Sequence, residues 1–279
     1  MLRKLLNYDM RYVWRVWRFV APIALILSFV GGICVQVLNL DSADPNYDIM
    51  QVLFGFGFFF CLLGIGAFYF VGSLMSHYRF YKNLFTDEGY LTFTLPISRA
   101  KIFGSKTLNS YLWNLWSGIV ILICVLIICF VADAQGFGEF WRGFWYFLQE
   151  GWQYIGAWLA VYIVLLVLIL LSSIWLSVSL IQFCITVGAI IAKKYKLLAG
   201  IGIYYVGNMI LSFFMQIAMI IGLLSVMDAL GTLIRNISVA ETHPFLTLIL
   251  FLISLVCCTI SCLIHFITLD LVERKLNLA

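Results

Sequence analysis

Six stretches of this chain run for 20 residues or more without an Asp, Glu, Lys or Arg: Phe19–Leu38, Met50–Leu74, Tyr111–Val131, Gly156–Ala192, Ala199–Met227 and Pro244–Leu269. Inserting a charge into hydrocarbon costs roughly 2.5–3.5 kcal/mol. A helix needs about 20 apolar residues to cross a bilayer core about 30 Å thick. An all-α membrane fold with six transmembrane helices is therefore expected. Barrel strands would instead alternate apolar and polar residues over segments of about 10. Of the 279 residues, 64% are hydrophobic and 11% charged, against about 45–50% and about 25% in soluble domains. That balance excludes a soluble globular domain, a disulfide-stapled secreted domain and a disordered chain. The fourth stretch belongs to a longer run with no charge between Glu150 and Lys193. As a single helix it would exceed about 50 Å, so it must tilt, break or project from the bilayer.

Basic residues gather on alternate connections. Arg3, Lys4, Arg11, Arg15 and Arg18 precede the first stretch, and Arg79, Lys82, Arg99, Lys101 and Lys106 follow the second. Lys193, Lys194 and Lys196 follow the fourth, and Arg274 and Lys275 the sixth. The remaining connections hold only Arg142 and Arg235, beside acids such as Asp41, Asp133, Glu139, Glu150 and Asp228. The positive-inside rule then places both termini in the cytoplasm.

Residues 1–18 are expected to form a separate amphipathic interfacial helix. Lys4, Arg11, Arg15 and Arg18 share one face, and Leu6, Met10, Trp14 and Trp17 offer an apolar side. No cleavable signal peptide is expected, because these residues are too long for a signal n-region and no A-x-A-like site follows the first stretch. All eight cysteines fall inside the apolar stretches and are read as packing residues rather than disulfide or metal ligands.

No ionised side chain sits near the middle of any stretch, which argues against a proton-relay carrier while leaving sodium coupling through backbone carbonyls open. His77, His243 and His265 form no H-E-x-x-H array, and no G-x-S-x-G elbow is present. No cluster has metal-ligand spacing. Gly104-Ser105-Lys106-Thr107 echoes the tail of a phosphate-binding loop, but the G-x-x-x-x-G-K-[ST] pattern and its preceding strand are missing. No catalytic residue, metal or enzymatic activity is therefore expected in this chain, and any energy must come from another polypeptide.

Three stretches carry polar stripes at helical spacing. These are Ser172, Trp175, Ser179, Gln182 and Thr186 in the fourth, Tyr205, Asn208, Ser212 and Gln216 in the fifth, and Ser254, Cys258, Ser261 and His265 in the sixth. Such faces should turn away from lipid. They serve either as interhelical hydrogen-bond seams, worth about 0.6 kcal/mol per bond, or as a translocation surface, for which Ser172, Ser179, Gln182, Asn208, Ser212 and Gln216 are the candidates. In the second stretch Gly55, Gly57, Cys61, Gly64, Gly66 and Gly72 favour close helix packing.

The connection Ser76–Asn109 mixes charge with Tyr78, Phe80, Tyr81, Phe85 and Tyr90, the residue types that anchor protein interfaces. Lying on lipid headgroups is the other reading, although Asp87 and Glu88 suit an anionic leaflet poorly. A short helix is expected around Tyr78–Phe85, with Gly89 and Pro96 interrupting and Ser98 capping a helix from Arg99.

The run Thr86-Asp87-Glu88-Gly89-Tyr90-Leu91-Thr92-Phe93-Thr94-Leu95-Pro96, followed by Ser98 and basic residues to Lys106, resembles the small bacterial permeases of the ABC-2 type. The resemblance implies the membrane subunit of an ABC exporter in the bacterial cell membrane, acting as a homo- or heterodimer. Separate cytoplasmic ATPases would bind ATP and Mg, with no cofactor in this chain. It also implies ATPase contact through the N-terminal helix and through Tyr81, Lys82, Phe85, Thr86, Asp87, Glu88 and Gly89. Apolar spans would suit a hydrophobic or amphipathic cargo: a peptide, a lipid-like molecule or a drug. Two other expectations stand beside it, a substrate-capturing component of a vitamin-uptake system and a non-transporting scaffold or immunity protein.

Overall fold

The computed structural model describes residues 2–39, 47–86, 89, 94, 98–192, 194–210, 212–213, 216 and 239–275. Among them every regular element is a helix. In chain order these are α1 (Leu2–Leu38), α2 (Tyr47–Phe85), α3 (Arg99–Ala132), α4 (Ala134–Ile155) and α5 (Ala157–Ile191). The helix at 196–210 is α6, and Val239–Lys275 is α7. Five of them, α1, α2, α3, α5 and α7, are long and apolar enough to cross a membrane. The chain is a helical, multi-pass membrane protein. Of the expected fifth span, Ala199–Met227, the first part is α6, and most of the remainder lies outside the described residues.

Two of the expected boundaries, after Arg18 and before Tyr78, are absent because one helix continues through each. α1 is one continuous helix of 37 residues that runs through Arg18 and Pro22, so the interfacial segment and the first apolar stretch form a single helix about 55 Å along its axis. α5 is likewise unbroken over 35 residues, about 52 Å; its length is not relieved by a break. The helix expected around Tyr78–Phe85 is the last part of α2.

The chain divides into two compact units. The first comprises Met1–Phe80 and Lys101–Gln153, the second Tyr81–Ala100 and Tyr154–Ala279.

In the first unit the core is aromatic. Trp17 stacks on Trp113 at 5.5 Å and meets Phe68 edge-on at 5.0 Å, with Val13, Ala24, Ile65 and Val120 buried around them. Part of the glycine stripe lets α1 and α2 close. A Cβ at Gly72 would lie 2.5 Å from the Trp17 ring, and one at Gly64 2.7 Å from Leu27. Gly55 and Gly66 face open space, so only part of that stripe packs. Cys34, Cys61 and Cys124 are buried and fill the same seams as small apolar groups.

α3 and α4 meet at Asp133. Its Oδ1 accepts the backbone N–H groups of Gln135 at 3.0 Å and Gly136 at 2.9 Å, an N-cap that satisfies two otherwise orphaned donors. α4 hands over to α5 at Gly156, whose φ of 60° lies in the left-handed region that favours glycine.

In the second unit α5 packs along α7. α5 is also followed within a few residues by α6, and these two touch backbone to backbone. A Cβ at Gly188 would collide with the backbone nitrogen of Gly200, and one at Gly200 would fall 2.6 Å from the Ile185 Cα.

Candidate functional site

Three charges meet inside the first unit. Asp9 on α1 is fully buried, Arg79 on α2 is 5% exposed and Lys106 on α3 is 3% exposed. Arg79 Nε donates to Asp9 Oδ1 at 3.2 Å, and Lys106 Nζ donates to Asp9 Oδ2. The Arg79 guanidinium also lies over Tyr12 at 4.4 Å and Tyr8 at 5.4 Å, contacts that favour a cation held out of water. Burying an ion costs several kcal/mol unless partners compensate. Once made, the cluster ties together α1, the far end of α2 and the start of α3. Phe80 and Phe103 pack edge-on beside it at 5.7 Å. In the same parts of these helices His77 and Asn109 are buried, and neither ring nitrogen of His77 has a partner among the described residues.

Composition alone conceals this cluster, because Asp9 is a lone acid in a basic segment. A local sign was present: Asp9 shares its helical face with Val13 and Trp17, four and eight residues on, and all three are buried. The buried side of α1 is thus rotated from the expected Leu6–Met10–Trp14–Trp17 side, with Trp14 52% exposed. Lys4, Arg11, Arg15 and Arg18 are exposed. The Gly104–Thr107 segment is continuous helix within α3, where Ser105 Oγ donates to the Ile102 carbonyl at 2.7 Å.

Of the residues expected to meet an ATPase, Tyr81, Lys82 and Phe85 close the end of α2, and Thr86 and Gly89 follow it, all in the second unit. Tyr81 stacks on Phe85 at 6.1 Å, and Phe85 is buried while Lys82 and Thr86 are half-buried. Thr86 Oγ1 donates to the Lys82 carbonyl at 2.5 Å, and Gly89 N–H donates to the Thr86 carbonyl at 2.7 Å. Gly89 is buried where a Cβ would come 2.8 Å from the Leu84 carbonyl oxygen. Asp87 and Glu88 lie outside the described residues. At the other end of the connection, Arg99 Nη1 donates to the Glu273 carbonyl on α7 at 3.2 Å.

The polar stripes separate in the second unit. Ser172, Ser179, Gln182 and Thr186 on α5 are all buried. On α6 and just beyond it Asn208 is half-buried, and Ser212 and Gln216 are exposed. On α7 the buried stripe is Ser254, Ser261 and Thr268, at a seven-residue repeat, whereas Cys258 is exposed and His265 half-buried. Trp175 on α5 lies 6.2 Å from His265 on α7. Most of the hydroxyls bond their own helix. Ser172 donates to Ile169 O at 2.9 Å, Ser179 to Trp175 O at 2.9 Å, Thr186 to Gln182 O at 2.8 Å and Ser261 to Cys257 O at 2.6 Å. A hydroxyl that has satisfied its donor this way behaves as a small, smooth surface, which suits close packing of long helices in lipid.

Among the described residues no three His, Cys, Asp or Glu side chains are grouped to hold a metal ion. No family model, no curated protein and no solved structure matches the chain.

Proposed function

We propose that the chain is the membrane subunit of an ATP-driven exporter of the ABC-2 type. It would have six spans with both termini cytoplasmic and sit in the bacterial cell membrane. In this proposal two permease chains, identical or paralogous, work with separate cytoplasmic ATPases that bind ATP and Mg. The segment Tyr81–Gly89 meets the ATPase, and the cargo is hydrophobic or amphipathic.

One observation carries most weight. The end of α2 from Tyr81 to Phe85 and the start of α3 at Arg99 and Ala100 group by their contacts with the second unit, while the rest of both helices lies in the first. A push there reaches α2 and α3 through the covalent chain and the helices of the second unit through packing. A docking element needs that property to turn closure of ATPases into rearrangement of spans. The buried Asp9–Arg79–Lys106 cluster supports the same idea, since it makes α1, α2 and α3 move together at the end where force would enter.

The test is charge reversal at the docking segment. Asp87→Lys/Glu88→Lys is expected to reduce recovery of the co-purifying ATPase at least tenfold, with the yield of the chain itself unchanged. ATPase recovery equal to that of the unaltered chain would remove the docking assignment.

A further inference from the structure

α4 differs in kind from the five long apolar helices. At the helical repeat of about 3.6 residues per turn, its apolar side chains fill one arc of about 160°. That arc holds Phe140, Phe144, Phe147, Trp141, Trp145 and Trp152, while Glu139, Arg142, Glu150, Gln135, Gln149 and Gln153 fall on the opposite side. No residue of α4 is buried. Phe140, Trp145 and Phe147 are 61%, 63% and 64% exposed, and neighbouring rings form a ladder, with Phe140 stacked on Phe144 at 6.4 Å and Trp141 edge-on to Phe144 at 5.7 Å. On the polar side Tyr146 bonds to Glu150, which pushes its hydroxyl pKa above the ordinary range.

We infer that α4 is a membrane-surface helix whose aromatic face is set into the headgroup region of the bilayer, on the side opposite the Asp9–Arg79–Lys106 layer. Three observations select lipid as the occupant. First, one residue, Asp133, separates α4 from α3, and one, Gly156, separates it from α5, so both ends of α4 are tied to helices that cross the membrane. Secondly, Trp, Tyr and Phe are the side chains that settle at the boundary between headgroups and acyl chains. Thirdly, the polar face runs the whole length of the helix. Its 22 residues would span about 33 Å, but a crossing would drag Glu139, Arg142 and Glu150 through hydrocarbon at roughly 2.5–3.5 kcal/mol each. Lying flat leaves them in water. With two carboxylates against one guanidinium, attachment rests on aromatic burial and not on attraction to anionic lipid. This inference is independent of the exporter assignment.

The experiment uses the full chain in phosphatidylcholine vesicles, with its eight native cysteines replaced and one nitroxide at a time placed along α4. Labels at positions 140, 144 and 147 are expected to collide with oxygen but not with a water-soluble nickel chelate. Their depth should be uniform, about 5–10 Å below the phosphates. Labels at 139, 142 and 150 are expected to collide with the chelate. Replacing part of the phosphatidylcholine with phosphatidylglycerol should leave these depths unchanged. Shielding of 140, 144 and 147 from both reagents would assign the face to a second protein chain and overturn the proposal. So would a depth that changes steadily from 137 to 155, or free access of the chelate to 144 and 147. A second measurement keeps the native cysteines. Bromine placed high on the lipid chain should quench tryptophan emission more than bromine placed low, and Trp141→Phe/Trp145→Phe/Trp152→Phe should reduce that difference, the six remaining tryptophans keeping the rest. An undiminished difference in the triple variant would also overturn it.

Discussion

Gly200→Leu is expected to cost more than about 3 kcal/mol and to remove most of the folded protein recovered in detergent. A Cβ at this position would fall 2.6 Å from the Ile185 Cα and 3.1 Å from the Cys184 carbonyl oxygen. Both obstacles are backbone, so no side chain can swing aside. Overfilling a packed site typically costs about 1–3 kcal/mol, and more where the surroundings cannot relax. Only residues 192–195 join α5 to α6, so the two helices cannot part locally without disturbing the whole hairpin. Small residues let helix backbones approach where lipid supplies no hydrophobic drive, and Gly188 facing Gly200 is such an approach. Gly202 provides the control, since a Cβ there meets nothing within 4 Å. Thermal unfolding should therefore separate Gly200→Leu sharply from Gly202→Leu. Equal stability of the two would show that the hairpin contact is absent.

Asp9→Leu is expected to destabilise the protein by about 3–5 kcal/mol, the usual result of taking one partner from a buried ionic cluster. Arg79 and Lys106 would keep their charges at 5% and 3% exposure without the carboxylate they share. Asp9→Leu/Arg79→Leu/Lys106→Met should recover most of the loss, because apolar replacements remove the desolvation penalty with the ions. Asp270→Leu is the contrasting case. Its partner Arg274 lies 2.6 Å away, but the side chains are 52% and 77% exposed, and a surface change of this kind shifts stability by about 0.5 kcal/mol or less. If Asp9→Leu behaved like Asp270→Leu, the cluster would not hold α1, α2 and α3 together.

The positions of the long helices are legible in the sequence because the rule behind them is severe: charges do not enter hydrocarbon, so the gaps between charges outline the spans. What the gaps cannot tell is where a helix continues past the apolar stretch. α1 joins its charged and apolar parts without a break because helical hydrogen bonds run between backbone groups whatever the polarity of the side chains, and Pro22, which lacks the N–H for one such bond, does not end it. The face of α5 with Ser172, Ser179, Gln182 and Thr186 was readable, since spacings of three and four residues mark one side of a helix. On α7 the same spacing led through Cys258 and His265, whereas the buried positions Ser254, Ser261 and Thr268 follow a seven-residue repeat. α4 reads at first as an acidic connection containing several glycines, and its apolar arc emerges only when the residues are wound into a helix. The Asp9 cluster joins positions separated by 70 and 97 residues along the chain; no local pattern specifies such a meeting.

Photo-crosslinking from the docking segment in native membranes measures the central proposal most directly. A photoreactive residue at position 82 or 86, both half-buried, should capture a soluble polypeptide that hydrolyses ATP. The same residue at 145, on the aromatic face of α4, should not capture it. Adding ATP with its hydrolysis blocked should change the yield at 82 and 86. Absence of an ATP-hydrolysing adduct from both positions, or an equal yield from position 145, would contradict a permease driven through Tyr81–Gly89.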